Sequence, residues 1–317
     1  MSIKYKQLTK ENSVKTLLYK IYKQRYLFLM LLPVMVLTIM FVYKPVIYWY
    51  IAFSDYKIGF NVLAGKWNGF QYFIDFFKNS MDATRVIKNT LYINIASLVV
   101  NLAVAIVFSI LLNEVRNKRA KSVVQTFSLF PFFISWVVTY SLFQTMFSVN
   151  TGFVNTILMK YGILNEGINI LGEAKYALGL MVFANLWKSL GYNAVIFLAA
   201  IAGIDQEQYE SADIDGASRL QKIWHITAPS LSTTLAVLLI LNSGWVLNSN
   251  FDQFYQFTNP TNLPSMDVLD MYAYRMGFQR LRYSYATVVG ICKTLISLIL
   301  LYLSNKIYRR LTGETVF

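Results

Sequence analysis

Residues 176–204 read YALGLMVFANLWKSLGYNAVIFLAAIAGI, a run in which Lys188 is the one charged side chain. A helix rises about 1.5 Å per residue, so about 20 apolar residues cross the roughly 30 Å hydrocarbon core of a bilayer. Five more runs of this kind flank it: 26–53, 90–112 and 123–147 before it, 232–251 and 286–304 after it. In lipid every backbone N–H and C=O must find a partner within its own segment, so each run is expected to be helical. A membrane barrel would show ten-residue alternating strands, which these continuous runs are not. The expected fold is therefore an all-α integral membrane protein with six transmembrane helices.

Composition agrees. Of 317 residues 56% are hydrophobic and only 14% charged, with mean hydropathy +0.44, against about 25% charged in soluble domains. The net charge of +13 sits between the apolar runs and forms no soluble basic domain. Anionic headgroups attract such juxtamembrane cations, and a nucleic-acid partner is not expected. The lone Cys292 allows neither an internal disulfide nor a cysteine-based metal site. The basic first residues followed by a run without a small-residue cleavage site argue against a signal peptide.

Lys and Arg in the flanks set the orientation. Seven lie before the first run (Lys4, Lys6, Lys10, Lys15, Lys20, Lys23, Arg25), four in the second loop (Arg116, Lys118, Arg119, Lys121), and Arg219 and Lys222 in the fourth. Lys306, Arg309 and Arg310 follow the last run. Both termini are therefore expected in the cytoplasm. Three parts result: a tail, first helix and first outer loop at 1–83, a five-helix core at 84–304 and a short tail at 305–317.

The fourth loop, 205–229, carries five acids on the cytoplasmic side: Asp205, Glu207, Glu210, Asp213 and Asp215. Asp205 suits an N-cap, with acids in the first turns favoured by the helix dipole. Asp215-Gly216 signals a turn. A second helix from Ala217 to about Thr227 would carry Leu220, Ile223 and Trp224 as an apolar stripe, with Pro229 closing it before the fifth run. Such a helix either lies on the bilayer or docks into a groove on a partner, and these residues alone fit both.

Glu210-Ser211-Ala212, then Gly216, Ile226 and Pro229, resemble the EAA loop of ABC importer permeases. That pattern is Glu-Ala-Ala, three residues, Gly, nine residues, Ile, any residue, Leu-Pro. The chain departs from it at Ser211 and Ala228, where the family usually has Ala and Leu. The likeness runs over about residues 25 to 305. Pro131 to Trp136, Trp187 to Gly203, Phe251-Asp252-Gln253, Asn259-Pro260 and Tyr283 to Thr287 are similar to the oligosaccharide and polysaccharide branch of carbohydrate uptake.

The resemblance implies the type I importer permease fold in a bacterial plasma membrane. It implies a second, homologous permease subunit, two ATPase subunits that use ATP and Mg, and an extracellular solute-binding lipoprotein delivering a carbohydrate. The loop would be the coupling helix, with Glu210, Ala212, Asp215, Gly216, Ala217, Leu220, Ile223, Trp224, Ile226 and Pro229 against the ATPase. Glu210 would face a basic group, and Gly216 would allow a turn no Cβ tolerates. The chain has no GxxxxGK[ST] phosphate loop of its own, so it is not expected to be an enzyme or to bind a cofactor.

Polar groups at bilayer depth are candidates for the solute path. Trp187, Lys188, Tyr192 and Asn193, with Asn185, lie in the fourth run, and Asn242, Trp245, Asn248, Asn250 and Asp252 in or beside the fifth. Asn94, Asn101, Tyr140 and Gln144 add to them from the second and third. Any single asparagine suits helix–helix hydrogen bonding equally well; the expectation is for a cavity lined by the fourth and fifth runs together. Lys293 is expected to pair with a carboxylate of the partner permease or to snorkel outward, and Gly290 to allow a close helix approach. A permease for another small polar solute, a secondary transporter and a membrane-embedded enzyme are the rival readings. The secondary transporter would normally show internal repeats, and the enzyme would need acid, base or nucleophile clusters that one histidine and one cysteine hardly supply.

Overall fold

The computed structural model describes residues 20–62, 65–78 and 80–312. Lys4, Lys6, Lys10 and Lys15, and the last five residues of the C-terminal tail, lie outside the described residues. The chain divides into two units, Met1–Gly69 and Phe70–Phe317.

In the first unit a 29-residue helical span, Arg25–Phe53 (α1), leads into a two-stranded antiparallel ladder of Ser54–Asp55 (β1) and Lys66–Trp67 (β2). Trp67 stacks on Phe53 with ring centroids 5.8 Å apart. α1 loosens to a π turn at Ile39–Tyr43, two residues before Pro45, where the Lys44 N–H reaches back to the Ile39 carbonyl. A proline cannot donate, and its ring strikes the carbonyl four residues back; one extra residue in the turn moves that carbonyl aside.

The second unit holds Gln71–Lys78 (α2), Ser80–Asn113 (α3), Lys118–Leu129 (α4), Trp136–Phe147 (α5), Phe153–Lys160 (α6) and Ala177–Ala202 (α7). Next come Gln206–Ile214 (α8), Arg219–Ser243 (α9), Phe251–Phe257 (α10), Leu263–Met266 (α11), Leu269–Tyr274 (α12) and Tyr283–Thr312 (α13). Among the described residues four helices are long and apolar enough to cross a bilayer unbroken, and the number reaches six when each of two bent pairs is taken as one span. α3 and α7 are shared by both cores. At one level Ile93 meets Met181, Phe143, Phe254 and Phe257; at the other Leu102 and Ala105 meet Phe197, Ile201 and Leu231. Gly191 permits the backbone of α7 to touch that of α4, because a Cβ there would run into the Ser128 carbonyl. Among the described residues nothing lies within 4 Å of a Cβ built at Gly290, so the expected close approach is not made within this chain.

Two expected spans differ in form. The run 123–147 is not one helix. It bends by 106° through a 3-10 turn at Phe130–Phe133, and Ser135 restarts the helix by accepting the Val138 N–H at 3.4 Å. Pro131, which has no N–H, sits in that turn. The fifth run does not stop at Pro229 on its cytoplasmic side. A π turn at Ile223–Thr227, again two residues before the proline, carries α9 through unbroken. Its outer end comes early: the helix stops at Ser243, and 244–250 is irregular until Asn250 caps α10 through the Gln253 N–H at 3.3 Å. Apolar Trp245, Val246 and Leu247 conceal that ending from hydropathy.

Candidate functional site

The irregular stretch 244–250 forms one wall of a cavity of about 300 Å³, and α3, α7, Asn242 at the end of α9 and Gln253 and Phe254 of α10 form the rest. Non-helical backbone at membrane depth is tolerated where it lines a water-filled space or is buried in protein. Seven asparagines line this space: Asn94, Asn101, Asn185, Asn193, Asn242, Asn248 and Asn250. Ser97, Ser189, Trp245 and Gln253 join them, and none of the lining residues is charged.

The amides divide into two groups. One is a hydrogen-bond chain that fixes the walls. The Ser189 hydroxyl donates to Asn101 Oδ1 at 2.7 Å, Asn101 Nδ2 donates to Asn185 Oδ1 at 2.8 Å, and Asn185 Nδ2 donates to Gln253 Oε1 at 3.3 Å. Gln253 Nε2 ends the chain on the Met181 carbonyl at 3.0 Å. Asn94 Nδ2 holds the irregular wall, donating to the Val246 carbonyl at 2.7 Å and to Ser249 Oγ at 3.1 Å. In the other group, the Asn193 and Asn248 amides have no protein partner among the described residues and are open to a ligand. Amides with both donors and acceptors, beside an indole face, suit hydroxyl-rich solutes.

Of the seven residues singled out as a path, Asn193, Asn242, Trp245 and Asn248 meet in this cavity, and Trp187, Lys188 and Tyr192 do not. Trp187 packs edge-on to Phe143, 6.1 Å between centroids. Tyr192 stacks on Phe132 at 4.5 Å. Lys188 closes the break between α4 and α5. Its ammonium donates to the carbonyls of Pro131 and Phe132, each at 3.1 Å, and to that of Ile134, and lies 5.4 Å from the Trp136 ring centre. A broken helix leaves carbonyls short of partners; the Pro131 carbonyl already accepts the Ile134 N–H at 3.2 Å, and Lys188 gives it a second donor and serves those of Phe132 and Ile134. Tyr140 and Gln144 line a separate, larger space of about 660 Å³ with Asn169 and Asn259. Ser189 and Gln253 were not legible as wall residues, since only the fold brings them beside asparagines of other helices.

Lys293 needs no carboxylate from a second subunit. It pairs with Asp270 of the same chain, 23 residues away in α12.

The loop 205–229 has the local form its residues dictate. Asp205 accepts the Glu207 N–H at 3.0 Å and starts α8. Gly216 takes φ +73° at the turn. Nothing lies within 4 Å of a Cβ built at Gly216, so the requirement is for the left-handed backbone and not for space inside the chain. Ser218 and Gln221 form a capping box at the start of α9. The Tyr209 and Thr227 hydroxyls lie 2.9 Å apart and tie α8 to α9, and Lys222 pairs with Asp213 at 2.6 Å. Glu210 and Asp215 are exposed, while Ala212, Ala217 and Ile226 are half-buried. Leu220 and Trp224 stand out at 68% and 71% exposure, together with Ile214 at 87%. Ile214, an apolar residue between two aspartates, escaped the sequence reading because it falls outside the Leu220 stripe. Ile223 turns inward, lining a small cavity with Tyr209 and Arg219.

A family model described as "Binding-protein-dependent transport system inner membrane component" matches residues 105–313. Protein LplB of Bacillus subtilis (strain 168) is 38% identical over 295 residues, 93% of this chain and 92% of that one. The polygalacturonan/rhamnogalacturonan transport system permease protein YteP of the same organism is 35% identical over 308 residues, 97% and 95% of the two chains. A chain in the crystal structure of a bacterial ABC transporter involved in the import of the acidic polysaccharide alginate superposes with TM-score 0.84 at 34% identity, covering 93% of this chain and 99% of that one. The chain thus belongs to the binding-protein-dependent transport system inner membrane component family: it is a multi-pass permease subunit of an ABC importer with the type I fold.

Proposed function

We propose that this chain forms half of the route by which an ATP-driven importer carries an oligosaccharide across a bacterial plasma membrane. The observation that carries the reading is the asparagine-lined cavity at the break 244–250, with the Asn193 and Asn248 amides open to it. Relatives whose names concern polygalacturonan, rhamnogalacturonan and alginate support a carbohydrate as solute. A related importer structure that includes an alginate pentasaccharide-bound periplasmic protein supports delivery by an extracellular binding protein.

The transport core is 84–304. A second, homologous permease supplies the other half of the route. Two ATPase subunits, using ATP and Mg, complete the importer, and one of them docks on the loop 205–229. Ile214, Leu220 and Trp224 enter a cleft on the ATPase, Glu210 meets a basic group there, and Gly216 holds the turn between. Closure of the ATPases then reaches the membrane as rigid-body motion. Trp187, Lys188 and Tyr192 hold the cavity walls from behind.

The test is uptake by the complete importer in proteoliposomes. Asn193→Ala with Asn248→Ala should reduce uptake at least tenfold while ATPase assembly and binding-protein-stimulated hydrolysis persist. Unchanged uptake places the route elsewhere.

A further inference from the structure

The wall at 244–250 is held from two sides. Asn94 grips it from α3, as described. On the other side Asp270 of α12 uses both carboxylate oxygens: Oδ2 accepts the Ser249 N–H at 2.8 Å, and Oδ1 pairs with the ammonium of Lys293 in α13. Ser249 is 8% exposed, and the Asp270 and Lys293 side chains 21% and 16%. Behind the wall lies a second space of about 270 Å³, bounded by Gly244, Lys293, Thr294 and Ser297. Trp245 and Asn248 face both spaces. The segment keeps turn hydrogen bonds, Trp245 N–H to the Asn242 carbonyl at 3.0 Å and Asn248 N–H to the Trp245 carbonyl at 2.8 Å, but lacks the continuous ladder of a helix, so its tethers contribute to its position.

We propose that Asp270 is the positioning residue for the solute path: by accepting the Ser249 N–H it fixes how far Asn248 and Trp245 project into the cavity, and Lys293 holds that carboxylate in place. This rests on the cavity being the route. A buried ion pair by itself is weak support for stability, because desolvation offsets its attraction. The Ser249 contact gives this one a purpose that packing alone does not require.

The acceptor and the charge can be separated. Asp270→Asn with Lys293→Met removes both charges yet leaves a side-chain carbonyl for the Ser249 N–H. Asp270→Ala with Lys293→Met is equally neutral and leaves none. In the complete importer the first pair is expected to keep uptake within about threefold of the parent, and the second to lose at least tenfold. An independent readout is the rate at which a water-soluble maleimide labels Asn248→Cys in a Cys292→Ala background, per mole of membrane-inserted protein. The rate should shift at least threefold in the Ala/Met pair and stay near the parent in the Asn/Met pair. Equal labelling in the two pairs overturns the positioning role. Labelling that shifts as expected while uptake stays equal overturns the assignment of this cavity to the route and leaves the tether standing.

Discussion

Gly216 is the residue on which the loop's shape depends. At φ +73° an L side chain costs roughly 1–2 kcal/mol, and Asn tolerates the region best. Since a Cβ there meets nothing in the chain, substitution should leave the span α9 in place and act on docking. Gly216→Val is expected to insert normally and to lower the ratio of solute moved to ATP hydrolysed at least fivefold, with Gly216→Asn closer to the parent. Equal coupling by Val and Asn variants would remove the backbone argument. Glu210→Lys should uncouple in the same assay, by placing a cation where the ATPase presents one.

Asp267, in the connection between α11 and α12, offers a pH test. Burial pushes its carboxyl above the ordinary range, with Arg275 and Arg85 opposing. The folded chain thus holds this proton more tightly than the unfolded chain does. The stability linked to that proton is complete below the ordinary carboxylate value and is lost as pH rises through the raised one. Asp267→Asn stays neutral throughout. The melting temperature of the detergent-solubilised variant, relative to the parent, should therefore rise across the window that opens above the ordinary carboxylate value of about 4. A fall over that window contradicts the sign.

Among elements, the α4–α5 break depends most on a single side chain. Lys188 donates to three carbonyls there, and hydrogen bonds to charged groups contribute about 1.5–3 kcal/mol each, without simple additivity. Lys188→Met is expected to lose about 3 kcal/mol and to lower solute uptake through the disturbed wall, and a thermal-shift measurement on the purified subunit checks the first part. A melting temperature within 1 °C of the parent would sink the capping role.

At this scale the sequence was informative wherever the cause is local. Asp205, Asp215-Gly216 and the apolar runs declare the loop and the spans by their own chemistry. Tertiary causes stayed hidden. Pro131 is visible as a breaker, but the cation that repairs the break comes from another helix. Lys293, expected to meet a carboxylate of a second permease or to snorkel outward, pairs with Asp270, which lies 23 residues away in sequence and comes beside it only through the fold. The end of α9 was placed at 251 because Trp245, Val246 and Leu247 are apolar, and hydropathy does not register whether an apolar residue is helical.

For the whole molecule the prediction concerns the partner. Ile214, Leu220 and Trp224 are exposed on the cytoplasmic loop, a lipid-like surface without lipid depth. A photo-crosslinker placed at Trp224 in intact membranes should capture a nucleotide-hydrolysing subunit, and capture weakened by ATP-driven rearrangement would strengthen the case. Adducts to phospholipid alone would return the loop to the bilayer surface, the other reading its residues allow.

The π turn before Pro229 has a mechanical consequence. Because it lets the chain pass the proline without a joint, the proposed docking surface at Leu220 and Trp224 and the fifth crossing are one lever. Its 25 residues measure about 37 Å at 1.5 Å per residue. A tilt of about 5° imposed at Trp224, about 28 Å from Ser243, sweeps that end by about 2.5 Å, and the first non-helical link it meets is the stretch that borders the asparagines.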